Sequence, residues 1–271
     1  MSNASKCLAL VAALALAGTV SAVNFTEDFD GSNGPWTDST ALGGTNGWVH
    51  VSGPDNKTTT ATGGLAGTRG AEAKGSANFD KLAFSQFPGL VPGDVLTSGT
   101  FEFFVAVDVS GGLSECSRAY QIGLSDDATG GREFEVEMFG CNQARVRSLP
   151  DAAQTPVSAP TFDMGWQEWR INYNRDTGLI STAYRDIDDT VGQFIGLGTF
   201  TTGPSLDMNT TTTGLFNATH MYIRGFGLGD SMKVDRLSST ALLPEPATLS
   251  VVMIGGLLLL RRRRRASLSQ G

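Results

Sequence analysis

The stretch Trp166–Asp186, with the sequence WQEWRINYNRDTGLISTAYRD, predicts an antiparallel β-hairpin. In its first half the apolar residues Trp169, Ile171 and Tyr173 alternate with polar residues, which is the period of a strand that buries one face. The chain then turns at RDTG, where Gly178 suits the positive φ of a tight turn. A second strand-like run returns after the turn. The segment therefore predicts two paired strands that cover one side of an apolar core.

Similar runs recur between Val23 and Leu243, separated by turn residues, and no helical period of useful length interrupts them. We predict strands at Phe25–Phe29, Trp48–Val51, Thr100–Val109, Ala119–Leu124, Arg132–Phe139, Ala144–Ser148, Trp166–Asn174, Leu179–Arg185, Gln193–Leu197, His220–Phe226 and Met232–Leu237. Two polar, Gly-rich stretches, Asn33–Gly47 and Asn56–Gly75, are predicted as loops. This pattern predicts an all-β fold, an antiparallel β-sandwich formed by one domain of residues 23–243.

Three parts of the chain resemble concanavalin A-like jelly rolls. They are the hairpin described above, the opening segment Glu27–Gly31, and the closing pair Tyr222–Phe226 and Lys233–Leu237. The resemblance implies a concanavalin A-like sandwich, with carbohydrate as a candidate ligand.

A second hairpin is predicted where Ala119–Leu124 pairs with Arg132–Phe139. The register that pairs Phe134 with Leu124 puts the apolar residues of both strands on one face. This register brings Cys141 to within one residue of the position opposite Cys116, and export to an oxidising compartment favours a disulfide between them. The alternative is two unrelated thiols.

Three carboxylates, Glu133, Glu135 and Glu137, share one face of the predicted strand because side chains alternate along a strand. The spacing resembles the Glu-x-Asp-x-Glu motif of jelly-roll glucanases, which implies Glu133 as nucleophile and Glu137 as acid/base. The middle residue is Glu135 instead of Asp, and the aromatic residue that precedes the motif is missing. The favoured interpretation is a solvated polar face with no catalytic role, so no enzyme activity is predicted; a glucan hydrolase is the alternative.

Charge excludes some functions. The whole chain has a net charge of −7, with six of the 20 basic and one of the 27 acidic residues in the two terminal segments, so the central region carries about −12. Such a domain is not a nucleic-acid binder.

No cofactor or metal site is predicted, and neither His50 nor His220 has zinc-ligand spacing. Calcium is the one ion that the acidic loops would suit. These loops contain Asp28 and Asp30, Asp126 and Asp127, and Asp186, Asp188 and Asp189.

Four tryptophans offer a sugar-stacking platform or, alternatively, strand packing, which is favoured for Trp169. The set consists of Trp36, Trp48, Trp166 and Trp169.

Both termini predict export. Residues 1–22 contain Lys6, an apolar run and the small residues Val20-Ser21-Ala22, which is the pattern of a signal peptide. At the other end, residues 244–271 hold Pro244-Glu245-Pro246, an apolar run at 247–260 and a basic tail at 261–265. The apolar run is short for a membrane span, and the arginines favour the cytoplasmic side. The basic tail consists of Arg261, Arg262, Arg263, Arg264 and Arg265.

The C-terminal arrangement resembles the PEP-CTERM sorting signal of bacterial surface proteins. The resemblance implies cleavage near Pro244-Glu245-Pro246 by an exosortase, with one transmembrane helix at 247–260; an ordinary single-pass anchor is the alternative. The sequence thus predicts a protein of the cell envelope, tethered to the membrane with its domain outside or released to the surface or matrix after processing. Its predicted role is structural or adhesive, with polysaccharide as a candidate partner.

Overall fold

The structure is a computed structural model that describes residues 22–31, 34–88, 90, 96, 98–108, 120–129, 133–139, 143–149, 154–157, 165–175, 177–187, 193–201 and 217–242. All of these residues belong to one compact unit, Ala22–Leu242. The predicted signal peptide and sorting segment therefore lie outside the described residues, apart from Ala22. None of the helices in the described part of the chain is long and apolar enough to cross a membrane.

The described fold is all-β, as predicted, with two short 3-10 helices at Leu65–Gly67 and Phe84–Gln86. The strands are β1 Ala22–Glu27, β2 Trp48–Ser52, β3 Lys57–Thr58, β4 Ala71–Ala83, β5 Ser98–Asp108, β6 Tyr120–Ser125, β7 Glu133–Phe139, β8 Gln143–Leu149, β9 Gln154–Val157, β10 Gln167–Asn174, β11 Leu179–Asp186, β12 Ile195–Thr201 and β13 His220–Leu242. All pairings between these strands are antiparallel.

The long strand β13 joins the two layers of the sandwich. Residues 220–225 of β13 lie between β4 and β6, and the first sheet continues from β6 through β7 and β8 to β9. Residues 237–242 lie between β1 and β5, and the second sheet continues from β5 through β10 and β11 to β12. Register shifts along β13 separate the two parts. Bulges and bends of this kind let one strand pass between two packed sheets.

The hairpin that decides the fold forms as predicted. In β10 and β11, Trp169 pairs with Tyr184, and the two rings stack with their centroids 4.9 Å apart. Gly178 has φ of 65° and donates its N–H to the carbonyl of Arg175, which closes the turn. Trp169 and Ile171 are fully buried, so the alternating face is the core face.

The register predicted for the second hairpin is confirmed. Phe134 pairs with Leu124, Val136 with Ile122, and Met138 with Tyr120. Cys116 and Cys141, the predicted disulfide, lie outside the described residues.

Some strand predictions are wrong. The strand β4 begins inside the predicted loop Asn56–Gly75, and β3 and β9 were not predicted. Within β4, only the segment FDKLA has large apolar residues, so neither alternation nor β-branched content marks a strand that pairs with three others. At the start of the chain, Phe29 has φ of 56°, which no strand adopts, and β1 ends at Glu27 instead of Phe29. The two closing strands predicted separately form the single strand β13.

Candidate functional site

One side of the first sheet carries a patch of mainly polar residues. Directly paired residues of antiparallel strands point to the same side of a sheet, so the register of β4, β13, β6 and β7 defines the patch. We call it the polar face, and its members are Phe79, Lys81, His220, Tyr222, Arg224, Gln121, Gly123, Ser125, Glu135 and Glu137. The alternate positions, such as Ile122 and Val136, are buried and apolar. Glu135 and Glu137 therefore share one face, as the sequence predicted.

Both of these glutamates belong to a hydrogen-bond network. The side-chain amide of Gln121 donates to Glu137 Oε1 at 2.7 Å and to Glu135 Oε1 at 3.3 Å. The Tyr222 hydroxyl donates to Glu135 Oε2 at 3.1 Å. The exposed fractions of Glu135 and Glu137 are 0% and 3%, so the prediction of a solvated face is wrong for both. The side chain of Glu133 lies outside the described residues.

The network depends on the absence of a side chain at Gly123. A Cβ atom placed there would lie 2.1 Å from the carbonyl oxygen of Phe134 and 2.8 Å from the hydroxyl oxygen of Tyr222. Both separations are far shorter than an ordinary non-bonded contact of about 3.5 Å and are repulsive, so only glycine fits at position 123. Gly123 thus allows the Tyr222 ring to lie against β6 and reach Glu135.

The other end of the polar face holds a buried lysine. The Nζ atom of Lys81, which has an exposed fraction of 0%, donates to Ser125 Oγ at 2.8 Å and to the carbonyl of Asp127 at 3.2 Å. The nearby His220 is partly buried, and its Nδ1 lies 2.7 Å from the Thr219 hydroxyl. Burial and the positive charge of Lys81 lower the pKa of His220 to about 4, against a smaller opposing effect of Asp127. His220 is therefore neutral at neutral pH.

The tryptophans do not form a sugar-stacking platform together. Trp36, Trp48 and Trp169 are buried, with exposed fractions of 4%, 1% and 0%. The indole N–H of Trp36 donates to the buried Glu27 at 2.9 Å. The packing role expected for Trp169 is confirmed and extends to Trp36 and Trp48, while Trp166 is partly exposed.

In the acidic loops that would suit calcium, three carboxylates accept hydrogen bonds from backbone N–H groups. Asp28 Oδ1 accepts a hydrogen bond from the N–H of Asp30, Asp30 Oδ1 accepts one from Arg69, and Asp127 Oδ1 accepts one from Thr129. Among the described residues, these loops contribute no group of three potential metal ligands. Asp188 and Asp189 lie outside that part of the chain.

A group of three potential metal ligands lies elsewhere, at His50 of β2, Asp55 of the β2–β3 loop and Asp80 of β4. One ligand atom from each residue lies within 4.8 Å of the others. His50 and Asp80 are direct partners in the strand register. His50 Nδ1 lies 2.8 Å from Asp55 Oδ1 and 3.1 Å from Asp80 Oδ1.

The charges of this group interact. Burial by itself lowers the pKa of His50, but the hydrogen bond and negative charge of Asp80 and the charge of Asp55 raise it on balance. Burial raises the pKa of Asp80, although the hydrogen bonds from Asn56 and His50 act in the opposite direction. The sequence does not predict the group because Asp80 lies 30 residues from His50, on a strand that was not predicted. A signal that was available is the turn Gly53-Pro54, which places Asp55 close behind β2.

The fold is similar to that of solved lectins. Peanut lectin has a TM-score of 0.50 and 10% sequence identity, over 83% of this chain and 99% of the lectin. Lectin II from Ulex europaeus has a TM-score of 0.50 and 9% identity, over 82% of this chain and 99% of the lectin. Lectin UEA-II complexed with galactose has a TM-score of 0.50 and 8% identity, with the same coverage. No family model matches the chain, and no curated protein matches its sequence. The chain thus has the antiparallel sandwich fold of concanavalin A-like lectins.

Proposed function

We propose that this protein is an exported bacterial surface or matrix protein that binds carbohydrate through the polar face. The observation that carries the proposal is the network of Gln121, Tyr222, Glu135 and Glu137, because it gathers hydrogen-bonding side chains from three neighbouring strands at one place. One of the lectins with a similar fold, lectin UEA-II, has a structure in complex with galactose.

The chemistry of the network suits a saccharide. Sugar hydroxyls both donate and accept hydrogen bonds, so carboxylates that only accept and an amide that does both can bind adjacent hydroxyls. Hydrogen bonds to charged groups are worth about 1.5–3 kcal/mol each. The partly exposed His220 and Arg224 lie on the same face and mark where a ligand would enter. Because Glu135 and Glu137 are buried, the proposal requires that the groups covering them move aside when a ligand binds.

The proposal is tested on a glycan array that includes galactosides and glucans. The double change Glu135→Gln and Glu137→Gln keeps the size of both side chains and removes their charge. We expect it to weaken binding by at least about tenfold, which corresponds to 1.4 kcal/mol. The control is Glu102→Gln on β5 of the second sheet, which should bind as wild type. Unchanged affinity in the double variant, or an array without any bound glycan, contradicts the proposal.

A glycoside hydrolase is the second candidate, and one distance favours it. Oε1 of Glu135 and Oε1 of Glu137 accept from the same amide nitrogen, so these oxygens are at most about 6 Å apart, a limit that allows the 5–5.5 Å of retaining enzymes. The pair shown close together is Glu135 and Glu137, while the resemblance implied Glu133 and Glu137. Release of reducing sugar from glucans, lost in Glu137→Gln, would identify an enzyme; binding without turnover supports the lectin-type function.

Export and sorting form the second part of the proposal. Support comes from the signal-peptide pattern of residues 1–22 and from the PEP-CTERM resemblance of residues 244–271. In this proposal an exosortase and the membrane are the partners that deliver the sandwich to the cell envelope.

A further inference from the structure

We infer that His50, Asp55 and Asp80 bind one divalent transition-metal ion, such as Zn²⁺. The inference is independent of carbohydrate binding, since these residues are not members of the polar face. Around a zinc ion, ligands at about 2.1 Å lie roughly 2.9–3.5 Å from one another. The contacts of His50 Nδ1 with the two carboxylate oxygens, 2.8 and 3.1 Å, are close to that range.

A single hydrogen bond from Nδ1 does not account for both contacts. An imidazole nitrogen carries at most one proton, in the neutral and in the charged ring alike. If Nδ1 donates to Asp80 Oδ1, it has no proton left for Asp55. Accordingly, Asp55 Oδ1 is buried and has no hydrogen-bond partner, although a nitrogen lies 2.8 Å away. A cation between the three atoms would satisfy all of them.

A neighbouring side chain provides a separate observation. Asn56 is completely buried, and its backbone N–H and side-chain amide both donate to Asp80 Oδ2, at 2.9 and 2.5 Å. These bonds hold the second oxygen of Asp80 and leave Oδ1 facing His50. The amide oxygen of Asn56 is buried without a partner. It is bonded to the same carbon as the donating nitrogen and so lies roughly 2.2 Å from it. A buried acceptor without a donor is costly, and a cation within reach of this oxygen would remove that cost.

The backbone of Gly43 packs closely against two of the three ligand residues. A Cβ atom at Gly43 would lie 2.6 Å from Asp55 Oδ1 and 2.6 Å from His50 Cβ. The side chains of His50 and Asp55 are each 36% exposed, so an ion can enter from solvent and keep water ligands. One imidazole and two carboxylates suit zinc or manganese, whereas Ca²⁺ requires six to eight oxygen ligands.

The test uses the full-length protein, stripped of metal with EDTA and titrated with Zn²⁺ in a calorimeter, with Ca²⁺ in a parallel titration. We expect one Zn²⁺ per chain at micromolar affinity or better and weaker binding of Ca²⁺. Replacing the half-exposed ligands, His50→Gln or Asp55→Asn, should weaken Zn²⁺ binding by more than about tenfold, the loss that even outer-shell partners can cause. The matched control is His220→Asn, because the chain has only two histidines.

Histidine resonances provide a second readout. The imidazole signal that remains in the His220→Asn variant belongs to His50, and Zn²⁺ should shift it. In wild type, Zn²⁺ should leave the His220 signal unshifted. The inference is overturned if wild type does not bind Zn²⁺, if Ca²⁺ binds and Zn²⁺ does not, or if binding persists in both ligand variants. Loss of binding in the His220 variant alone would overturn it as well.

Discussion

Replacing Gly123 with alanine should damage both the fold and the polar face. The new Cβ atom would lie 2.1 Å from the carbonyl oxygen of Phe134, which belongs to the neighbouring strand β7. An ordinary non-bonded separation is about 3.5 Å, so atoms must move apart by about 1.4 Å. A shift of that size in a strand pair breaks local ladder hydrogen bonds, and it also pushes away Tyr222, whose hydroxyl oxygen would lie 2.8 Å from the new atom.

The expected cost has two parts. Overpacking in a well-packed region costs about 1–3 kcal/mol. Loss of the hydrogen bond from Tyr222 to the buried Glu135 adds about 1–3 kcal/mol. The sum, about 2–6 kcal/mol, should lower the melting temperature by at least about 4 °C for a domain of this size.

The measurement is thermal unfolding of purified protein by circular dichroism, with urea unfolding as a second estimate. The control is Gly196→Ala on β12, because nothing lies within 4 Å of a Cβ placed there. The melting temperature of that variant should be within about 1 °C of wild type or slightly higher, since alanine loses less backbone entropy on folding. If Gly123→Ala melts within about 2 °C of wild type, the reasoning about the tight contact between β6, β7 and Tyr222 is refuted.

Three further predictions concern pH, redox state and processing. The pKa of His220 is about 4 in the folded protein, against an ordinary value of 6.5. Between these values the unfolded chain binds a proton that the folded protein does not, so the contribution of His220 to stability is complete above pH 6.5 and is lost as the pH falls towards 4. His220→Asn should reduce that loss by about 1–2 kcal/mol, after allowance for solvent screening of a partly exposed ring; equal pH profiles in urea unfolding would contradict this. Cys116 and Cys141 should resist thiol labelling in the native exported protein, and reduction should cost about 3–4 kcal/mol; two labelled thiols would exclude the bond. The surface form should lack residues 261–265, and an intact mass that retains them would exclude processing.

Local patterns in the sequence determined a large part of the fold. The hairpin of β10 and β11 was predictable because Trp169, Ile171 and Tyr173 follow the two-residue period of a half-buried strand and Gly178 supplies the turn. The register of β6 and β7 was predictable for a related reason, since a slip of one residue would turn every apolar side chain to the wrong face. The shared face of Glu135 and Glu137 follows from the same alternation.

Only the tertiary structure decided what surrounds those side chains. No local pattern reveals that Tyr222 comes from β13 to bind Glu135. Nor does it reveal that a face that alternates like a solvated one is buried. Likewise β4, whose sequence lacks a strand pattern, forms because its neighbours pair with it on both sides. His50, Asp55 and Asp80 come together only through that pairing. Burial, charge contacts and ligand groups depend on residues distant in the chain, and their proximity is set by the packing of the whole sandwich.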